Sequence, residues 1–123
     1  IMVQVNTSAE ESKSGCAPDG VVALCAEVAK ACPLLRLCGL MCIGKYSAAE
    51  GSATTDFEVL KRCREQVAAA TSPDPATQAR VLTHMALSMG MSHDFEAALA
   101  AGASHVRVGS SIFGARAPKP VSS

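Results

Sequence analysis

Between Leu87 and Gly114, LSMGMSHDFEAALAAGASHVRVGSSIFG, the chain has 28 residues in which to fit a strand end, a helix and a second strand. So short an alternation of the two element types confines it to sheets joined by helical crossovers. Thr83 to Met89 alternates with period two, which puts His84, Ala86, Ser88 and Gly90 on one face and Met85, Leu87 and Met89 on the other. Ser92 is placed as the N-cap of a helix that ends at Gly102, a natural residue just past a helix end. His105 to Gly109 then reads as a strand with Arg107 and Gly109 on one face and Val106 and Val108 on the other. Two strand ends therefore bring Ser, Gly and Arg to a single edge. Small residues let a ligand approach the backbone, free N–H groups suit a dianion, and arginine supplies fixed positive charge. This is the chemistry of a phosphate-bearing cofactor.

The same alternation runs through the rest of the chain. Met2 to Asn6 reads as a strand and Asp19 to Ala31 as a helix with Val21, Leu24, Cys25, Val28 and Cys32 on one stripe, ended by Pro33. Leu35 to Met41 is a second strand, followed by a Gly/Ser/Ala-rich stretch from Gly44 to Thr54 that reads as a mobile loop. Thr55 and Glu58 fit a capping box that opens the next helix, along which Phe57, Leu60, Cys63 or Arg64, and Val67 line up. Ser72 to Ala76, SPDPA, reads as a turn before the third strand. Four strands alternating with three helices predict a parallel sheet with right-handed crossovers.

Composition narrows the function classes. At 49% hydrophobic residues the 123-residue chain can build a core, and eleven basic against eleven acidic residues leave no net charge. Neither a nucleic acid nor a membrane surface is the expected partner. No apolar run reaches the ~20 residues of a membrane span. Cys16, Cys25, Cys32, Cys38, Cys42 and Cys63 form no C-x-x-C pair, and their spacings suit no zinc module. They read as small core hydrophobes in a reducing compartment, which makes the cytoplasm the expected location, or an organelle if a targeting segment precedes Ile1. The chain opens at Ile1 almost inside a strand, as would a piece cut from something longer.

Four motifs in order, VNTSAEESKSG, GLMCIG, LSMGMS-x-DFE-x-A and VRVGSSIFG-x-R, resemble the YggS/PROSC family of pyridoxal phosphate homeostasis proteins over roughly Val3 to Arg116. The resemblance implies a (β/α)8 barrel related to the amino-terminal domain of alanine racemase. Such a barrel takes about 250 residues, so these strands would be five to eight, the carboxy-terminal half. Residues 1–116 are then a partial barrel and residues 117–123, in place of the longer helical ending of the family, a flexible tail. Half a barrel would leave open edges at Met2 to Asn6 and His105 to Gly109, through which the chain is expected to self-associate.

The resemblance also assigns roles. It puts the cofactor phosphate at Gly109 and Ser110, where the residues alone would favour an ordinary turn, and phosphate sites in such barrels tend to follow strands seven and eight. Ser88 and Ser92 could each reach that phosphate, Ser92 competing with its role as a plain N-cap. Arg107, inward-facing by its period, needs a partner; the family gives it the pyridine nitrogen of pyridoxal 5′-phosphate (PLP), while a structural salt bridge is the other reading. The family's Schiff-base lysine lies on an early strand, and Lys13, Lys30, Lys45, Lys61 and Lys119 match no such motif. The expected function is therefore PLP binding in cofactor homeostasis without catalysis, and no catalytic or metal-ligating residue is assigned. A racemase-like PLP enzyme and an inactive truncated remnant are the alternatives.

Overall fold

The computed structural model describes residues 1–45 and 52–115. The chain runs β1 (Met2–Gln4), a 3-10 turn (Pro18–Gly20), α1 (Val21–Ala31), β2 (Gly39–Met41), α2 (Ser52–Thr71), α3 (Pro75–His84), β3 (Ala86–Met91), α4 (Phe95–Ala100), β4 (His105–Arg107) and α5 (Ser110–Phe113). All four strands are parallel, in the order β1-β2-β3-β4. Sequential parallel pairing with crossovers of one hand carries every connecting helix to the same face of the sheet.

The core shows which face that is. Val3, Leu40 and Leu87 form one register row across β1, β2 and β3, and all are buried. With Val5, Cys42 and Met89 they pack against Val21 and Cys25 of α1, Phe57, Leu60, Cys63 and Val67 of α2, and Ala98 of α4. The opposite register rows, Met2–Gly39–Ala86 and Gln4–Met41–Ser88, turn to the other face. Met2, Gln4, Met41 and Ala86 are only half-buried there. A doubly wound sheet would cover both faces; this one is wound singly.

Several sequence expectations are corrected. The turn SPDPA is also a helix start, because Asp74 Oδ2 accepts the Thr77 N–H at 2.8 Å and Pro75 takes the first helical position. The helix α3 continues through Thr83 and His84, so the third strand starts at Ala86, not Thr83, and His84 ends a helix instead of opening a strand. β2 is confined to Gly39–Met41, with Leu35 exposed before it. The long helix begins at Ser52, which places Thr55 inside it; Glu58 pairs with Lys61 at 2.9 Å and closes no capping box. Among the described residues two helices, α2 and α3, lie between β2 and β3 where one was expected, and α5 is the short helical turn expected to open at Ser110 and Ser111 after β4. Residues 46–51 of the expected mobile loop, and the expected tail at 117–123, lie outside the described residues.

The strand carrying Ser88 holds one more correction. Ser88 pairs with His105 and Met91 with Arg107, three steps on β3 against two on β4, so β3 bulges by one residue. Gly90 sits there at φ +92°, and a Cβ on it would meet Ala98 Cβ at 2.5 Å. It therefore faces α4, away from Ser88, and strict alternation fails beyond Ser88 because the bulge inserts a step.

Candidate functional site

Arg107 ends β4, Ser92 and Gly109 lie in the loops after β3 and β4, Ser110 opens α5, and Ser88 lies within β3; the carboxyl edge is where ligands bind in parallel α/β sheets. Four of the five residues fall into two pairs, and Ser110 stands apart. Ser88 and Arg107 meet on the sheet face opposite the packed helices: Arg107 Nη1 donates to Ser88 Oγ at 2.8 Å. Its Nη2 donates to the Cys42 carbonyl at 2.7 Å. The Cys42 N–H in turn donates to the Ser88 carbonyl at 3.1 Å, so the guanidinium is held against two neighbouring strand ends. Arg107 has the partners that its inward position demanded, and both are neutral. Among the described residues it makes no ion pair, which leaves the structural salt bridge without support and the positive charge of Arg107 uncompensated by a carboxylate.

Ser92 and Gly109 form the second pair. The Gly109 N–H donates to Ser92 Oγ at 2.9 Å and the Ser111 N–H to the same oxygen at 3.3 Å. Two backbone amides thus converge on one oxygen atom. Ser92 does not cap α4 as expected; the N-cap position belongs to Asp94, whose Oδ1 accepts the Met91 N–H at 2.6 Å. The bulge at Gly90 accounts for this, because the extra residue carries Ser92 across to the end of β4 before the helix starts. Ser110 is exposed on the first turn of α5.

The sequence reading missed two participants. Cys42 offers a carbonyl, which no side-chain pattern reveals, and the amide of Ser111 outranks the hydroxyl of Ser110 in the observed contacts. The Cys42 thiol is itself buried, which pushes its pKa up to about 11 and makes it an inert core group instead of a nucleophile. His93 lies 3.4 Å from Asp94 Oδ2. All six cysteines are free, and among the described residues no cluster of His, Cys, Asp or Glu could hold a metal ion. No helix among the described residues is long and apolar enough to cross a membrane.

With this geometry in view, the comparisons with known proteins are specific. The family model of the alanine racemase N-terminal domain matches residues 1–117. The chain belongs to that family. It is 41% identical over 118 residues to the human pyridoxal phosphate homeostasis protein, covering 94% of this chain and 40% of that one. Among solved structures it resembles an unknown protein from Bifidobacterium adolescentis, with TM-score 0.73 and 34% identity over 91% of this chain and 42% of that chain. It also resembles PipY of Synechococcus elongatus with PLP bound, with TM-score 0.63 and 26% identity over 92% of this chain and 48% of that chain. The chain thus spans less than half the length of the relatives it matches.

Proposed function

We propose that this chain holds PLP without catalysing its turnover, as part of cofactor homeostasis, and that residues 1–116 form the strand-five-to-eight half of a (β/α)8 barrel. The singly wound sheet supports the second statement, since a barrel is such a sheet closed on itself. The length of the relatives, more than twice that of this chain, agrees with it.

The residues fit the two ends of the cofactor. PLP supplies a reactive aldehyde and a ring that withdraws electrons once its nitrogen is protonated. The Gly109 and Ser111 amides already share one oxygen acceptor, so a phosphate oxygen meets donors that are aimed and close together. When a phosphate oxygen takes the place of Ser92 Oγ on the two amides, the freed Ser92 hydroxyl can donate to a second phosphate oxygen. Ser110, exposed beside them, adds a hydroxyl. Ser88 orients Arg107, whose guanidinium donates to the ring nitrogen. It cannot give up its proton, so it holds that nitrogen unprotonated and the ring a poor electron sink. Binding without turnover follows.

The observation that carries this reading is Arg107, a partly buried cation that among the described residues is held by a hydroxyl and a carbonyl, two residues from a converged pair of amides. Six free thiols suit a reducing compartment such as the cytoplasm. Equilibrium dialysis of the 123-residue chain against PLP and against pyridoxal, with borohydride reduction and mass spectrometry, tests the proposal. PLP should be retained weakly, pyridoxal not, and no single lysine should become stoichiometrically modified. Equal retention of both compounds, or one fully modified lysine, overturns it.

A further inference from the structure

One peptide group in the loop after β2 is gripped at both of its polar atoms. The Gly44 carbonyl accepts a hydrogen bond from Lys13 Nζ, an ammonium also paired with Glu10. The Lys45 N–H donates to Asp56 Oδ2 at 2.7 Å. These atoms belong to the same peptide unit, so an ammonium draws on its oxygen while a carboxylate draws on its hydrogen. Both bonds are charge-assisted, the strong kind. Asp56 is only 4% exposed on α2, and a carboxylate so buried must be compensated. Gly44 makes the approach feasible: its φ is +74°, and a Cβ there would stand 3.4 Å from Asp56 Oδ2.

The clamp lies two residues from the Cys42 carbonyl that accepts Arg107 Nη2. On its other side, Cys42 is fixed to β3 through its N–H. A short stretch of backbone between a sheet ladder and a double-ended clamp has little freedom left, and the carbonyl that aims the guanidinium is in that stretch. We propose that Asp56 is a positioning residue for Arg107, acting through the Gly44–Lys45 peptide on the Cys42 carbonyl. The geometric part stands alone; its effect on cofactor retention rests on the PLP reading above.

Nitrogen-15 NMR of the Arg107 side chain in the ligand-free 123-residue chain, together with PLP dissociation constants, tests this with three variants. In Asp56→Ala the Arg107 Nε–H signal should shift or broaden, and the PLP dissociation constant should rise about tenfold, the order of one lost charge-assisted contact. Asp56→Asn keeps an oxygen that can accept the Lys45 N–H, and it should restore the signal and most of the affinity. An Arg107 signal and an affinity unchanged in Asp56→Ala overturn the proposal, as does a failure of Asp56→Asn to rescue. Should Asp56→Ala not fold, Lys13→Met reads the same peptide from its other end: a displaced Arg107 signal supports the clamp, and an unmoved one overturns it. If the unaltered chain binds no PLP, the PLP reading falls and the NMR arm still decides the role of Asp56.

Discussion

Arg107 is the centre of the proposed PLP site because, among the described residues, its two contacts are neutral and leave its charge available. A guanidinium paired with an acid would be neutralised; one held by Ser88 Oγ and the Cys42 carbonyl is oriented and remains positive. Replacing it with a carboxylate tests that reading. In Arg107→Glu the ring nitrogen of PLP should protonate, seen as a change in absorbance, and the dissociation constant should rise at least tenfold, about 1.4 kcal/mol. Unchanged affinity and spectrum would make Arg107 purely structural. Behind it, the Cys42 thiol titrates near 11 when folded instead of its ordinary value near 9, because burial disfavours the thiolate. The folded state therefore keeps a proton that the unfolded chain loses. Stability from this group is complete below pH 9 and is lost as pH rises toward 11. Burial raises the pKa values of Cys16, Cys25 and Cys63 as well. Urea denaturation between pH 8 and 11 should show this decline, and Cys42→Ala should flatten part of it.

Two elements set the site, and each offers a test. The bulge in β3 exists because Gly90 alone can sit at φ +92° with Ala98 Cβ 2.5 Å from where its own Cβ would be. Gly90→Val should destabilise the chain by roughly 2 kcal/mol or more through overpacking and strain, and it should displace Ser92 from the Gly109 and Ser111 amides. Thermal denaturation and the amide shifts of those two residues would show both effects. The cap at Asp74 is a milder case: Asp74→Ala should loosen the start of α3 and lower the denaturation midpoint slightly, with little change in PLP binding. These same elements mark how far the sequence could be read. Arg107 and Gly109 were legible as candidate site residues because regular alternation puts Arg107 inward and small residues flank the strand end. The pairing of Ser92 with Gly109 was not, since it depends on a one-residue bulge that breaks the period. Cys42 and the Gly44–Lys45 clamp were hidden for another reason: their contacts are made by backbone atoms, which carry no residue-type signal. The helix α3 was overlooked because two prolines in five residues suggest a turn, although Asp-Pro is equally a helix start.

At the scale of the molecule, the sheet has one face packed and the other only half-covered. Its edges are unequal. The bridge between Val5 and Cys16 ties up the Gln4 carbonyl and the Asn6 N–H, so the outer edge of β1 is open mainly near Met2. Among the described residues β4 pairs only with β3, and Ile112 and Phe113 beyond it are 67% and 86% exposed. Open parallel edges beside exposed apolar side chains recruit partners. Sedimentation of the 123-residue chain should therefore show concentration-dependent association, and a monomer that unfolds cooperatively at every concentration would contradict the half-barrel proposal. The claim on which all of this converges is that PLP sits between the Gly109 and Ser111 amides and the Arg107 guanidinium. Addition of PLP to the nitrogen-15-labelled chain tests it most directly. The account predicts saturable shifts of the Gly109 and Ser111 amide signals and of the Arg107 side-chain signal, all with one dissociation constant. Shifts confined to other residues, or no shift at saturating PLP, would contradict it.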